Sequence, residues 1–208
     1  MKKLLIMFIP FIFISCASFN PGPIDYRSAL TSPESKSGDS VYVFTKQYSV
    51  KEAKLIFDTN FRYVDFEPIY VSIFNRSSNK IFIAPQNFFG YTELEKVYDD
   101  TKSAPFSFFL VWSIPWVINV AAGWPIYYGI VWPIFGGIAM GKSSSANSNR
   151  EEFYNSVTLK ETELSYGQEV YGIVFLQKTK EDSIHITLRT DSSLIDFPFE
   201  NKSDMFVK

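Results

Sequence analysis

The chain has 208 residues, long enough for one domain with an insertion, and sets 20 Lys and Arg against 22 Asp and Glu for a formal net charge of −2. That balance, without a basic cluster, excludes a nucleic-acid binder, which needs a cationic face for the phosphate backbone. One cysteine and one histidine exclude an internal disulfide, a CxxC redox pair, a thiolate zinc site, a Cys–His nucleophile and any multi-histidine metal centre.

The chain opens with "MKKLLIMFIPFIFISCAS". Lys2 and Lys3 precede eleven apolar residues, Leu4 to Ile14, and small residues surround Cys16. A charged start, an apolar stretch too short for a bilayer and a small-residue zone make a signal peptide over 1–15. The ending "FISC" resembles the lipobox of bacterial lipoproteins, in which a small residue precedes a cysteine. The resemblance implies cleavage between Ser15 and Cys16 and acylation of Cys16, with palmitate among its chains. Two alternatives are an ordinary secretory signal cut elsewhere and an uncleaved signal anchor. Loss of Lys2 and Lys3 with the leader leaves 18 Lys and Arg against 22 Asp and Glu, a charge of −4.

Residues 16–40, rich in Ser, Pro, Gly and Asn with no apolar period, are expected to form a flexible tether. "VYVFTKQ" from Val41 alternates and predicts a strand. Ser49 and Glu52 have the S-x-x-E spacing of a capping box and open a short helix through about Phe57. "FRYVDFEPIYVSIFN" is β-rich, with Pro68 marking an edge position or a bend. The polar "NRSSNK" and the following "IFIA" complete an expected hairpin.

From Ser103 to Gly141 run 39 residues without a charge, including all four tryptophans and fifteen Ile, Leu, Val and Phe. Those fifteen alone favour membrane insertion by roughly 4.5–9 kcal/mol before Pro, Gly and Asn119 subtract from it. "VWSIPWVI" and "VWPIFGGI" repeat V-W-x-I-x-x-x-I, and Pro105 and Pro125 share the same offset. The run therefore predicts a hydrophobic helical hairpin with arms 105–121 and 125–141, Pro at the start of each. Gly137 and Gly141 form a GxxxG pair suited to close helix packing. The hairpin either enters a membrane or packs on protein, and an even number of passes keeps both flanks on one side.

"GGIAMGKS" matches the GxxxxGK[ST] spacing of a phosphate loop, but no strand precedes it and no α/β pattern surrounds it, so the match is read as coincidence. After a polar linker to 148, "NSVTLKE" and "EVYGIVFLQ" predict strands joined at "SYGQ", where Gly167 permits a positive φ. "SIHITLRT" and "LIDFPF" close the set. His185 alternates with Thr187 and Arg189 on a polar face and is read as an exposed structural residue. Asp99-Asp100, Glu151-Glu152 and Glu181-Asp182 are adjacent pairs whose side chains diverge, which suits solvated surface and not acid/base work.

Seven or so short strands and one short helix predict an antiparallel β-sandwich over 41–102 and 149–208, with the hairpin and linker inserted at 103–148. "ELSYGQEVYGIVFLQ" resembles paired strands of immunoglobulin-like bacterial envelope domains, which implies an immunoglobulin-like sandwich. The expected protein is not an enzyme and takes no cofactor. It is a lipid-anchored envelope protein, held in a bacterial membrane through Cys16 and the 105–141 segment, with its folded domain outside the cytoplasm. Its sandwich serves as a binding or assembly module for an envelope protein. The alternative is a component that handles or perturbs lipid through the hairpin. By the lipoprotein resemblance, Ala17 after Cys16 implies outer-membrane sorting, whereas the apolar run argues for the inner membrane, so both remain open.

Overall fold

A computed structural model describes residues 18–102, 126–190 and 193–202, with 126–140 described through their backbone alone. The chain divides into two compact units, Met1–Asn20 with Lys102–Glu152 and Pro21–Thr101 with Phe153–Lys208.

The second unit carries two four-stranded antiparallel sheets. The first has the order β1 (Lys36–Gly38), β2 (Val41–Gln47), β3 (Phe66–Asn75), β6 (Glu169–Gln177). The second has the order β5 (Thr162–Leu164), β4 (Ile81–Ile83), β7 (Ser183–Thr190), β8 (Leu194–Glu200). Their facing sides share one core, with Val43, Ile69, Val71, Ile73 and Val174 from the first sheet meeting Ile81, Ile83, Ile186, Leu188 and Phe197 from the second. Period-two alternation puts these residues on one face of each strand.

The other face of the first sheet is also covered. Phe44, Tyr70, Ile173 and Phe175 meet Ala53, Ile56 and Phe57 of helix α1 (Val50–Phe57) and Val97 of helix α2 (Leu94–Thr101). Tyr154 and Val157 join them from the last turns of helix α3 (Ile126–Val157). β3 is therefore buried along nearly its whole length, which explains why both its alternating sets are mostly apolar. Pro68 stands just past the last β2 pair, Gln47↔Ile69, where β3 has a strand partner on one side only.

Helix α1 starts as expected. Glu52 N–H donates to Ser49 Oγ at 3.3 Å and Ser49 N–H donates to Glu52 Oε2 at 3.0 Å, closing the capping box. Asp58 ends the helix at φ 47°.

Several expectations need correction. The fold is mixed α and β, and beyond the expected short helix and hairpin the described residues add a helix at Leu94–Thr101. β3 and β4 do not form a hairpin, because the turn after Asn75 carries the chain from one sheet to the other. The Asn75 amide holds that turn, donating to Asn79 O at 2.8 Å and Leu164 O at 2.9 Å. β5 and β6 are likewise in different sheets.

The polar linker and the first three residues of the strand expected at "NSVTLKE" are helix, because α3 runs on to Val157, while Thr158 bridges to Ile173. No Pro or Gly interrupts 142–157. Its buried positions Ser143, Ala146, Asn147, Arg150, Tyr154 and Val157 follow a helical period in small and polar residues, which apolar patterning overlooks.

The expected second arm, 125–141, corresponds to the first half of α3. Among the described residues no helix is long and apolar enough to cross a membrane. The first arm, 105–121, lies outside the described residues.

Residues 21–35, expected as tether, lie along the second unit. Gly22 N–H donates to Leu55 O and Ile56 O, each at 3.0 Å, and Ala29 is fully buried. Their bonds are made by backbone groups and short polar side chains, which leave no periodic signal.

Candidate functional site

Of the residues singled out from the sequence, Cys16 lies outside the described residues. Gly137 and Gly141 fall within α3, where Gly141 is exposed and an added Cβ meets no described atom within 4 Å. "GGIAMGKS", residues 136–143, is helical throughout. A phosphate loop gathers several backbone N–H groups into a cradle ahead of a helix, whereas here the N–H groups lie along a helix interior.

His185 is part of a polar cluster on the outer face of the second sheet. β7 places Ser183, His185 and Thr187 on one face by strand alternation, and β8 places Asp196 opposite Thr187. Ser183 Oγ lies 2.9 Å from His185 Nε2, His185 Nδ1 lies 2.6 Å from Asp196 Oδ2, and Thr187 Oγ1 donates to Asp196 Oδ1 at 3.2 Å. The order hydroxyl, imidazole, carboxylate is that of an acyl-transfer relay. The His185 and Asp196 side chains are 37% and 46% exposed, however, and a relay so open to water lacks the low-dielectric setting that stabilises a developing oxyanion. The cluster fits a surface hydrogen-bond ladder. "SIHIT" shows that three of its members share a face; the fourth, Asp196, depends on the β7–β8 register and carries no local signal.

The N-terminal segment is fastened at three places. Gly22 docks on the last turn of α1 as described, and a Cβ there would stand 2.6 Å from Leu55 O. Next, the Tyr70 hydroxyl donates to Arg27 O at 2.7 Å and accepts from Arg27 N–H at 2.9 Å. Burial pushes the Tyr70 pKa up to about 12, since its phenolate would lose water. Third, Glu169 is a hub: its Oε1 accepts from Ala29 N–H and from Ser72 Oγ, each at 2.7 Å, and its Oε2 accepts from Ser28 Oγ at 2.9 Å. Ser72 is fully buried, and an ionised acceptor makes these bonds stronger than neutral ones. Tyr26 completes the contact, with its ring 4.9 Å from that of Tyr171.

Beyond the end of β2 lies a cleft of about 580 Å³, within the size range of small-molecule sites. Its three lysines are engaged with neighbours. Lys46 Nζ lies 3.3 Å from Glu52 Oε1 and 5.2 Å from the Tyr48 ring centroid, and Lys202 pairs with Glu200 at 3.5 Å. Lys36 lies 5.2 Å from the Phe199 centroid and donates to Pro198 O. The Ser49 backbone N–H holds the Glu52 carboxyl below its ordinary pKa. A ligand drawn by charge would have to displace these partners.

Lys178 has a structural task. Its ammonium donates to Phe61 O and Val64 O, each at 2.7 Å, and burial pushes its pKa down. Among the described residues no three His, Cys, Asp or Glu side chains gather closely enough to hold a metal ion.

Compared with protein-family models, with curated proteins and with solved structures, the chain matches none of them. Function therefore has to be argued from the residues themselves.

Proposed function

We propose that this protein is a bacterial lipoprotein, acylated on Cys16, whose β-rich unit serves outside the cytoplasm as a binding or assembly module. The observation that carries it is the leader: two lysines, an eleven-residue apolar stretch and "FISC", with the only cysteine of the chain at the cleavage point.

The sandwich is of immunoglobulin-like type, and strand order supports that assignment. In chain order, β2 to β8 take the A, B, C, C′, E, F and G places, with A–B–E in one sheet and C′–C–F–G in the other. β1 is an added edge strand, and the D strand has no counterpart among the described residues. Such sandwiches present surfaces and loops for recognition, and the fold alone assigns no chemistry.

The test is metabolic labelling of the expressed protein. It incorporates radiolabelled palmitate, Cys16→Ala abolishes the incorporation, and the mature chain begins at Cys16. An intact mass with an unmodified Cys16, or a mature chain beginning elsewhere, refutes the proposal.

A further inference from the structure

We infer that the end of the second unit formed by the last turn of α1 and the 3-10 turn Phe61–Tyr63 rests on the lipid surface, with Leu55 and Tyr63 as its apolar contacts. This rests on the acylation of Cys16 proposed above.

Chain length is the first ground. Cys16 and Gly22 are six residues apart, and a fully extended chain covers at most about 20 Å over that distance. Gly22 N–H is bound to Leu55 O and Ile56 O, and a Cβ at that position would press to 2.6 Å from Leu55 O. The leash from the acyl chains therefore ends on the last turn of α1. That bound keeps the part of this unit that Gly22 touches within about 20 Å of the acylated residue.

Surface chemistry is the second ground. Leu55 is 72% exposed and Tyr63 is 84% exposed, although both belong to a layer whose other apolar side chains, Ile56, Phe57 and Phe61, are buried. Lys51, Lys54 and Arg62 are exposed around them, with Asp58 and Asp65 as acidic neighbours and Glu52 paired with Lys46. An apolar residue and an aromatic ring flanked by cations are what an interfacial contact uses, the ring at headgroup level and the cations toward anionic lipid. Exposed apolar side chains scattered singly need no such explanation, but these two stand where the leash ends.

The fold supplies its own control. Tyr166 is 68% exposed in the turn next to Asn75, whose carbonyl accepts from Gly167 N–H. It lies at the far end of β3, a strand of ten residues that spans about 33 Å. A general tendency of exposed aromatics to meet lipid would include Tyr166, and the leash geometry leaves it out.

The experiment uses the full-length acylated protein in vesicles of phosphatidylethanolamine and phosphatidylglycerol. Acylated Cys16 has no free thiol, so a single cysteine at position 55, 63 or 166 carries a nitrobenzoxadiazole fluorophore. All three are exposed sites whose replacement leaves the core intact. The mass of the N-terminal peptide from the same sample reports acylation. The expected result is blue-shifted emission and quenching by brominated lipid for Leu55→Cys and Tyr63→Cys, with neither for Tyr166→Cys. Equal quenching at the three positions, or quenching at 166 alone, overturns the inference while leaving the lipid anchor standing. An unmodified Cys16 overturns the anchor and this inference together.

Discussion

Glu169→Ala tests how the N-terminal segment is held. The substitution removes the acceptor of Ser72 Oγ, Ser28 Oγ and one bond from Ala29 N–H. Ala29 N–H keeps Ser72 Oγ as an acceptor at 3.0 Å, so it is not stranded. Ser28 can rehydrate. Ser72 is fully buried, and its hydroxyl proton loses the carboxylate, with the Tyr70 hydroxyl, itself bonded to Arg27, as a weaker neighbour. A stranded buried donor costs about 1–3 kcal/mol and a lost charge-assisted bond about 1 kcal/mol more, so the expected loss is about 2–4 kcal/mol. With a urea dependence of about 2 kcal/mol per molar, the midpoint falls by about 1–2 M.

Glu169→Gln keeps an oxygen for Ser72 and Ala29 and costs less than about 1 kcal/mol by the same reasoning. Ser72→Ala in the Glu169→Ala background removes the stranded hydroxyl and recovers part of the loss, which a double-mutant cycle measures. Trypsin cleavage at Arg27, inside the docked segment, accelerates in Glu169→Ala under native conditions. A midpoint unchanged from the parent protein, or a Ser72→Ala cost that adds in full to that of Glu169→Ala, refutes the reasoning.

Other outcomes follow from single contacts. Gly172→Ala places a Cβ 2.6 Å from Leu159 N and Cα and disturbs the Leu159 N–H bond to Ile173 O, for a loss of about 1–3 kcal/mol in thermal unfolding. Gly167→Ala meets no atom within 4 Å, and its φ of +76° alone costs about 1 kcal/mol, so the pair separates crowding from backbone strain. Ser49→Ala breaks the capping box and lowers stability by about 1 kcal/mol in urea titration. Because the Glu52 pKa is lowered on folding, its contribution is present at neutral pH and is lost as pH falls through the folded value. Ser49→Ala keeps the backbone N–H that lowers this pKa most and removes only the smaller hydroxyl contribution, so the acid sensitivity falls in part. Tyr70 has a folded pKa of about 12 against an unfolded 10.0, so its contribution is complete below pH 10.0 and is lost as pH rises toward about 12. Tyr70→Phe flattens that alkaline slope in urea midpoints measured across the interval.

Local patterns were legible and pairings were not. "VYVFTKQ", "EVYGIVFLQ" and "SIHITLRT" announce strands through alternation, and Ser49 with Glu52 announces a helix start, because each signal lies within one element. That "IFIA" pairs with β5 and β7 instead of β3 depends on the turn held by Asn75, whose amide reaches Leu164 across 89 positions of sequence. The polar half of α3 hid because its period is written in Ser, Ala, Asn and Arg. The Glu169 hub hid for a similar reason: Ser28, Ala29 and Ser72 look like loop and strand filler until β6 brings a carboxylate between them.

The pairing of β4 with β5 closes a ring of roughly 80 residues, and β3 waits for a partner that the ribosome makes about a hundred residues later. Loop-closure entropy grows only with the logarithm of length, so replacing a four-residue turn by this ring costs about 3 kcal/mol, and each doubling about 0.6 kcal/mol more. By closure entropy alone, the segment between the two strands can lengthen at little equilibrium cost, provided α2 and the last turns of α3 keep their packing on the first sheet. The burden falls on kinetics. Until β6 and β7 have been made, β3 shows two apolar faces and an open edge, the state in which chains pair wrongly. An early half that must be shielded while a late half arrives makes folding speed, more than final stability, the property that synthesis of this protein tests.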